Sequence, residues 1–360
     1  MMDNKKTISK KRFRSFGFAT GVLPPGAKNT IADVPGVRVG HLAKIRGRDI
    51  RTGITIIDPG VAGMYEKKIP AAIAVGNGVG KLAGFTQVEE LGTLEAPVAL
   101  TNTLAVGPVM RGVVDLVVKI SPKLSPLDTI NAVVGETNDG FLNDIHRDVI
   151  TKADVQRAWA ARSANVRMGS VGAGTGTKAF AWKGGIGSAS RMVTLRGKRY
   201  TLGALVQTNY RGLLTVLGVP VWEKIGGARP FRGSHLRDNG SCMIVYATDA
   251  PLTARQLKRI AARAFVGLAR TGSVLSHGSG DYAIAFTTSR AGLEGSGSIG
   301  KCLPDEMLDV FFQAAAETAE ESVYDALFLA ETMRGREGNI LEAIPVNAVV
   351  EIIRRYLRCE

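Results

Sequence analysis

The stretch Asp238-Asn239-Gly240-Ser241-Cys242-Met243-Ile244-Val245-Tyr246-Ala247-Thr248-Asp249 joins a polar turn to an apolar run. Asn-Gly pairs tolerate positive φ and favour tight turns, and a short apolar run bounded by turn residues predicts a buried strand. Ser241 is therefore predicted to begin a rigid strand, directly after a residue without a side chain. Two interpretations remain open. The stretch is an ordinary turn, or Ser241 attacks the carbonyl of Gly240 and becomes a new N-terminus after hydrolysis.

Apolar runs and helical periodicities alternate on both sides of this stretch. Strands are predicted near 37–39, 53–57, 71–75, 97–100, 131–134, 187–195, 199–208 and 282–287, and helices near 104–119, 151–163, 257–268, 304–333 and 346–357. Interleaved strands and helices indicate an α/β or α+β protein. Neither a repeat nor a clear linker occurs, which favours a single compact unit over residues 1–360.

The composition is that of a globular protein, with 45% hydrophobic and 22% charged residues among 360. A net charge of +14 is compatible with nucleic-acid binding, but aromatic residues make up only 6% and no nucleic-acid-binding motif is present. Solubility explains the charge better, so no nucleic-acid partner is predicted. Part of the charge lies in a basic arm, predicted to be solvated and mobile, that contains Lys5, Lys6, Lys10, Lys11, Arg12 and Arg14.

No run of 18 apolar residues and no signal-type apolar segment follows the basic arm, so we expect a cytoplasmic protein with no membrane partner. The three cysteines include no C-x-x-C pair, and the four histidines lack metal-site spacing. The sequence thus predicts neither a disulfide framework nor a metal.

Glycine clusters raise the question of a nucleotide site. The segment Gly295-Ser296-Gly297-Ser298-Ile299-Gly300 matches G-x-G-x-x-G, but it does not directly follow a strand. The acidic residues about 20 positions later fall in a predicted helix, which is the wrong context for a ribose ligand. The cluster at 172–177 lacks the Gly-Lys-Ser/Thr of a P-loop. Both clusters are interpreted as tight turns around a buried site, and no cofactor is predicted.

Polar residues at strand ends supply a candidate catalytic set. Neither G-x-S-x-G nor S-x-x-K is present, so a serine nucleophile needs another activator. An N-terminal serine has one in its own α-amine, whose pKa is about 8. Glu136, Asn209 and Ser279-Gly280-Asp281 each adjoin a predicted strand and a turn. Alone, each is more often a loop or cap residue, but with Ser241 they provide a nucleophile, an amide donor, a hydroxyl relay and two carboxylates.

Several segments in order along nearly the whole chain carry a resemblance: 21–26, 33–41, 100–103, 135–140, 169–177, 183–187, 240–241 and 269–273. Together they resemble the DmpA-type L-aminopeptidase/D-esterase-amidases, whose relatives include β-peptidyl aminopeptidases and nylon-oligomer hydrolases. The resemblance implies a precursor that cuts itself between Gly240 and Ser241. It further implies that fragments 1–240 and 241–360 stay associated, and that such units form homo-oligomers.

The fold implied by the resemblance is a four-layer αββα sandwich, similar to the N-terminal-nucleophile hydrolases but with different connectivity. By the same resemblance Ser241 is the nucleophile and Asn209 supplies the oxyanion-hole amide. Ser279 and Asp281 match a Ser-Gly-acid motif that relays or holds the proton. Glu136 matches the carboxylate that binds the substrate's free ammonium group.

Two positions relate the chain to branches of that family. The acid of the Ser-Gly-acid motif is Glu in the β-peptide-cleaving relatives, so Asp281 indicates the L-aminopeptidase branch. Some members place a tyrosine near the oxyanion, for which Phe141 and Tyr210 are the nearest candidates here.

The sequence therefore predicts a self-processing serine aminopeptidase that acts on short peptides, amides or esters with a free amino terminus. Two alternatives stay open. One is an amidase acting on β-peptides or nylon-like ω-amino-acid oligomers, and the other is an unprocessed, inactive homologue that serves as a binding or assembly protein.

Overall fold

The structure is a computed structural model that describes residues 10–226, 240–293 and 302–358. The glycine-rich segment 295–300 lies outside these residues, as do Asp238 and Asn239 of the predicted turn. Within the described ranges no helix is both long enough and apolar enough to cross a membrane.

The strands and helices alternate along the chain much as the periodicities predict. The strands are β1 (Arg38–Arg46), β2 (Ile50–Asp58), β3 (Ile69–Gly78), β4 (Leu82–Ala83), β5 (Thr93–Leu94), β6 (Val98–Asn102), β7 (Val133–Thr137), β8 (Lys178–Ala179), β9 (Trp182–Lys183), β10 (Ile186–Leu195), β11 (Lys198–Asn209), β12 (Ser241–Thr248), β13 (Gly280–Thr287), β14 (Met333–Arg334) and β15 (Ile340–Leu341). The helices are α1 (Phe85–Leu91), α2 (Val106–Ile120), α3 (Lys152–Ala160), α4 (Trp222–Ile225), α5 (Ala254–Ala261), α6 (Ala264–Arg270), α7 (Asp309–Phe328) and α8 (Val346–Arg358).

Two large sheets face each other and form the centre of the molecule. The first has the strand order β1-β2-β6-β7-β4, and the second has the order β10-β11-β12-β13-β3-β5. In the second sheet β12 and β13 run parallel, while β11 and β3 flank this pair in antiparallel orientation. The strands on either side of the predicted nucleophile are therefore fixed by hydrogen bonds on both edges.

Three hydrophobic clusters separate four layers. One cluster lies between the sheets and includes Leu100 and Val133 from the first and Met243 and Ile284 from the second. Another packs α2 and α3 on the outer face of the first sheet, and a third packs α5, α6 and α7 on the outer face of the second. Burial of apolar surface on both faces of each sheet stabilises this order. The predicted αββα sandwich is confirmed.

Strand β12 is buried along its whole length, so alternate side chains enter different clusters. Cys242, Ile244 and Tyr246 face the helices, whereas Met243 and Val245 face the other sheet. Since successive side chains point to opposite faces of a strand, Ser241 lies on the face between the sheets.

Two helices differ from the predicted bounds. The segment 257–268 is divided between α5 and α6. The N–H of Arg263 donates to the carbonyl oxygen of Ile260, and this i to i−3 hydrogen bond tightens the turn between the two helices. The stretch 304–333 contains a shorter helix, α7. Pro304 is extended and is followed by a separate 3-10 turn at Asp305–Met307, and the helix ends at Phe328.

The described part of the basic arm is not free in solution, contrary to the prediction. Arg12 Nε donates to the buried Asp325 at 2.7 Å, and Arg14 Nε donates to the buried Glu321 at 2.7 Å. Both acids lie on α7 and need positive partners because burial removes them from water. The arm's first two lysines lie outside the described residues. Charge that appeared to serve solubility is therefore partly structural.

Candidate active site

Ser241 is the first residue of β12 and is held between two neighbouring strands. Asn209, the last residue of β11, lies directly opposite it in the antiparallel ladder, and Gly280, the first residue of β13, lies beside it in the parallel ladder. Ser241 and Asn209 are only 4% and 5% exposed. The three sequence-distant positions therefore meet at one end of the second sheet.

The hydroxyl of Ser241 contacts the residue that precedes it. Its Oγ donates to the carbonyl oxygen of Gly240 at 2.6 Å, and the N–H of Gly280 donates to the same oxygen at 3.2 Å. A side chain at residue 240 would lie 3.1 Å from Cα of Tyr210, which is a tight contact. The carbonyl group of Gly240, which the sequence predicts as the target of Ser241, is thus buried, hydrogen-bonded and next to the hydroxyl.

Asn209 is oriented by the segment that begins at Lys178. The backbone N–H of Lys178 donates to Oδ1 of Asn209 at 2.9 Å, which leaves the NH₂ end of the amide as the available donor. Directly opposed residues in an antiparallel pair have Cβ atoms about 5 Å apart on the same face. Asn209 therefore presents its side chain beside that of Ser241.

Asp281 lies on the other face of the sheet, and Ser279 directly precedes β13. Asp281 pairs with Cys242 in the parallel ladder, and Cys242 belongs to the cluster under the helices. The Ser279 hydroxyl and both carboxylate oxygens of Asp281 have no hydrogen-bond partner among the described residues. Burial raises the pKa of Asp281 to about 6. This carboxyl group can therefore hold a proton near neutral pH.

Glu136 is the penultimate residue of β7 and reaches the same end of the molecule from the first sheet. Its Oε1 accepts the N–H of Lys81 at 3.0 Å and lies 3.3 Å from the ammonium of Lys81, whereas Oε2 has no partner among the described residues. A side chain on Gly80 would lie 3.2 Å from Oε1 of Glu136 and 3.5 Å from Cα of Gly280. The carboxylate is therefore close to the residue that flanks Ser241, with one oxygen unused.

Gln207 is a site residue that sequence reasoning did not single out. Its amide nitrogen donates to Oγ1 of Thr137 at 2.8 Å, to the carbonyl of Ala173 at 3.1 Å and to that of Thr101 at 3.2 Å. These bonds connect the second sheet to the first directly behind Asn209. The only sequence signal was a polar residue inside an otherwise apolar strand, two positions before Asn209.

Lys183 and Asp139 form a second buried polar group that was not predicted. The ammonium of Lys183 donates to the carbonyls of Gly174 at 2.9 Å and Gly184 at 2.8 Å. Burial lowers the pKa of Lys183 to about 7 and raises that of Asp139 to about 7, while the attraction between the two opposes both changes. Lys183 thus holds the loop that leads into Lys178 and, through it, Asn209.

Phe141 and Tyr210, the two candidates for the tyrosine that some family members place near the oxyanion, lie in different surroundings. Tyr210 is buried, its hydroxyl lies 3.2 Å from Oγ1 of Thr271, and its ring packs edge-on against Phe180. That hydroxyl is therefore committed to the core. Phe141 lies under the ammonium of Lys178, which is 4.5 Å from the ring centre. Phe141 is thus next to the segment that orients Asn209, but its ring has no donor.

Comparison of the sequence with models of known protein families shows which family the chain belongs to. The model of peptidase family S58 matches residues 29–341. The chain belongs to peptidase family S58. The resemblance inferred from the scattered motifs is therefore confirmed, as is the prediction of a serine-type peptidase.

Named relatives agree with the S58 assignment over almost the whole chain. The S58 peptidase is 36% identical over 361 residues to the beta-peptidyl aminopeptidase BapA of Sphingosinicella microcystinivorans, with 93% of this chain and 90% of that protein covered. It superposes on the PH0078 protein from Pyrococcus horikoshii OT3 with a TM-score of 0.89 and 40% identity, covering 96% of this chain and 99% of that one.

A further solved structure bears on the fold of the S58 peptidase. The L-aminopeptidase D-Ala-esterase/amidase from Ochrobactrum anthropi matches with a TM-score of 0.84 and 33% identity, over 96% of this chain and 99% of that chain. It is described as a prototype for the serine aminopeptidases and a new variant among the Ntn hydrolase fold. The predicted relation to N-terminal-nucleophile hydrolases is thereby confirmed.

Proposed function

We propose that this S58 peptidase is a serine aminopeptidase that activates itself by cutting between Gly240 and Ser241. One observation carries the proposal: the Ser241 hydroxyl contacts the carbonyl oxygen of Gly240 at 2.6 Å, at the start of a buried strand. A hydroxyl in that position can attack the adjacent carbonyl carbon after a small rotation, because the two groups are already held close together.

Self-cleavage proceeds in two steps, which are transfer of the Gly240 acyl group from nitrogen to oxygen and hydrolysis of the resulting ester. The Oγ of Ser241 bonds to the carbonyl carbon of Gly240, the carbonyl π electrons move to oxygen, and the hydroxyl proton is transferred to a base. The carbon–nitrogen bond then breaks and the nitrogen of Ser241 takes up a proton, which leaves an ester between the two residues. Water hydrolyses that ester, giving a carboxylate at Gly240 and a free amine and hydroxyl at Ser241.

We propose that Ser279 and Asp281 transfer protons to and from the nitrogen of Ser241. The alternation of β12 places the Ser241 hydroxyl between the sheets, whereas Asp281 lies on the helix side with Cys242. The backbone nitrogen lies in the plane of the sheet and is open to either face at the strand end. A carboxyl group whose pKa is raised to about 6 suits proton delivery to the departing nitrogen and later contact with the free amine.

Glu136 and Asn209 take the substrate roles in the mature protein. The unused Oε2 of Glu136 accepts the free ammonium of the substrate, so hydrolysis is restricted to the amino-terminal residue. The amide of Asn209, with Oδ1 fixed by Lys178, donates to the oxyanion that forms when Ser241 attacks the substrate carbonyl. Water then releases the residue from the acyl-enzyme, and the products are an amino acid and a shortened peptide, amine or alcohol.

A second substrate class is supported by a specific observation, the 36% identity to a beta-peptidyl aminopeptidase. The same chemistry serves amides of β- and ω-amino acids if the distance from Glu136 to Ser241 accommodates the extra methylene groups. A panel of L-α-, D-α- and β-aminoacyl p-nitroanilides measured on one preparation distinguishes the two classes. Faster turnover of the β-compounds would assign the chain to the second class.

Mass spectrometry of the purified protein tests the proposal. We expect fragments that end at Gly240 and begin at Ser241, and the Ser241→Ala variant is expected to remain uncut and inactive. An intact chain that ignores every aminoacyl p-nitroanilide would support the inactive binding or assembly protein instead. We further propose that the cut units form homo-oligomers, which sedimentation equilibrium of the same sample measures.

A further inference from the structure

We propose that the preferred substrate of this S58 peptidase carries a carboxylate beside its free ammonium group, so that aspartyl residues are its preferred amino-terminal residues. The inference rests on the proposed aminopeptidase function and names the substrate class. It starts from two neighbouring side chains, Glu136 and Lys81. The first has an unused hydrogen-bond acceptor and the second an unused donor, and together they match a group that holds both charges.

Lys81 is anchored where two strands of the first sheet end. Its backbone N–H donates to Oε1 of Glu136 at 3.0 Å, its ammonium lies 3.3 Å from the same oxygen, and the ammonium also donates to Oγ1 of Thr103 at 2.7 Å. Thr103 follows β6, which runs parallel to β7, the strand that contains Glu136. The lysine is therefore fixed in place relative to the carboxylate that we assign to the substrate ammonium.

The ammonium of Lys81 keeps one donor for a substrate. A lysine ammonium has three N–H donors, and in the part of the chain that the structure describes its polar partners are Glu136 and Thr103. The Lys81 side chain is 50% exposed, so a substrate group can reach the third donor. On the carboxylate, Oε2 of Glu136 has no partner among the same residues. An unused donor and an unused acceptor thus lie side by side.

The charges of this pair are unbalanced once a substrate binds. Before binding, Glu136 and Lys81 neutralise each other. The substrate ammonium on Oε2 brings a second positive charge to a single carboxylate, and neighbouring like charges lower affinity. A carboxylate on the substrate restores neutrality, whereas a substrate without one meets the repulsion of Lys81. The lysine therefore attracts one class of substrate and disfavours the other.

The position of the reacting carbonyl limits where the substrate carboxylate can be. The ammonium on Glu136 and the carbonyl carbon at Ser241 fix both ends of the amino-terminal residue. Because Lys81 binds the same carboxylate as the ammonium does, the group that reaches it is attached on or next to the carbon that bears the ammonium. An aspartyl residue fulfils this condition whether it is linked through its α- or its β-carbonyl. Ser241 is acylated in either case, and water then releases aspartate.

Two matched pairs of substrates test the inference on the cut, unaltered protein. One pair is the α-p-nitroanilide of L-aspartate and the p-nitroanilide of L-asparagine, which has the same shape without the charge. The other pair is the β-p-nitroanilide of L-aspartate and the same compound with a carboxamide in place of its α-carboxylate. We expect kcat/KM for the acid to exceed that for its amide twin about tenfold in at least one pair, the effect of a bond between charged groups in a partly exposed site. That pair identifies the linkage, and the absence of any preference for the acid in both pairs would overturn the inference.

Variants at residue 81 assign the preference to the lysine. Lys81→Met should lower the ratio of kcat/KM for acid over amide to about one, and Lys81→Arg, which keeps the charge, should restore most of it. A partial folding defect lowers both rates equally and leaves this ratio unchanged. The matched control is Lys258→Met, because Lys258 also pairs with a glutamate, Glu89, and its side chain is 52% exposed. A ratio that stays high in Lys81→Met, or falls equally in the control, would overturn the assignment to Lys81.

The outcomes separate the inference from the proposed function. If the unaltered protein hydrolyses none of these four compounds and neither L-alanyl nor β-alanyl p-nitroanilide, the aminopeptidase proposal fails and this inference fails with it. If it hydrolyses the alanyl compounds but prefers neither acid to its amide twin, only the carboxylate specificity is overturned.

Discussion

Asn209 and Ser241 are cross-strand partners at the last position of the β11–β12 ladder, so both side chains emerge on the face between the two sheets. Because the strands are hydrogen-bonded up to this pair, the backbone of neither residue can move away without breaking the sheet. An amide donor and a hydroxyl are thereby held together by backbone register and not by a mobile loop.

Replacing Asn209 by leucine, which has a similar shape, removes the donor without opening a large cavity. We expect kcat on an aminoacyl p-nitroanilide to fall about 100- to 1,000-fold with little change in KM, because the lost bond matters mainly in the transition state. Steady-state kinetics of the cut protein measure both constants. A rise in KM at unchanged kcat would contradict the assignment and make Asn209 a substrate-binding residue.

The Glu136→Gln substitution keeps the size of the side chain and removes its charge. KM for substrates with a free amine should rise about tenfold or more, since a buried bond to a charged group is worth about 1.5 to 3 kcal/mol. The rate of self-cleavage should stay unchanged, because no substrate ammonium takes part in it. Equal loss of self-cleavage and substrate turnover would instead indicate a structural role for Glu136.

Lys81→Met provides the opposite change at the same carboxylate. The ammonium of Lys81 lies 3.3 Å from Oε1 of Glu136 and repels an incoming substrate ammonium. We therefore expect KM for substrates whose only charge is a free amine to fall several-fold in this variant. A rise in KM would show that Lys81 orients Glu136 more than it competes with the substrate.

The raised pKa of Asp281 predicts a pH-dependent stability. Its ordinary value is 3.8 and its value in the fold is about 6, so the folded state binds this proton more tightly than the unfolded state does. The contribution is present below about pH 4 and is lost as pH rises through 6, a change of up to about 3 kcal/mol. Asp281→Asn in the uncut Ser241→Ala chain should therefore raise Tm at pH 8 and leave it nearly unchanged at pH 4.

That substitution has a catalytic counterpart. In the chain that retains Ser241, Asp281→Asn should slow self-cleavage, because the amide cannot deliver a proton to the departing nitrogen. Ser279→Ala should slow it as well if the two side chains act in series. Normal cutting in both variants, followed by mass spectrometry, would remove these residues from the proposed mechanism.

The buried ion pairs of Arg191 should contribute measurably to the free energy of unfolding. Its guanidinium, fully buried, donates to Glu317 at 2.6 Å and to Glu321 at 2.7 Å. Arg191→Met leaves both carboxylates without that partner and should lower the free energy of unfolding by about 3 to 5 kcal/mol. Urea unfolding of the uncut Ser241→Ala chain measures this change.

A control for the Arg191 substitution is Arg355→Met, which removes an exposed pair with Glu351. Exposed pairs contribute about 1 kcal/mol or less. Equal effects of the two substitutions would contradict the structural role of the buried network around α7.

Local sequence patterns were sufficient for many elements of this fold. The apolar run after Ser241 is β12, and the strand ending at Asn209 is β11, because an uninterrupted apolar run can be buried on both faces of a sheet. The break between α5 and α6 was not visible, since the apolar repeat continues across it and only a backbone hydrogen bond reveals the tighter turn.

Proximity within the site depended on register, which no pattern in one strand encodes. The separation of Ser241 and Asp281 onto opposite faces follows from the pairing of β12 with β13, in which Asp281 lies beside Cys242 and not beside the serine. Gln207 was missed for a similar reason, because its three acceptors come from parts of the chain brought together only by the sandwich.

The order of strands in the second sheet has one more consequence. The two strands of this sheet that follow Gly240 in the chain, β12 and β13, lie between β11 and β3, which precede it. A cut before Ser241 would leave β12 and β13 hydrogen-bonded to strands on both sides, so the two fragments would stay associated. A copy that later unfolded, however, would have to reassemble from two separate molecules, a second-order event that dilution slows. Cutting would therefore make loss of the native state nearly irreversible, and the lifetime of the mature protein would depend on how slowly it opens.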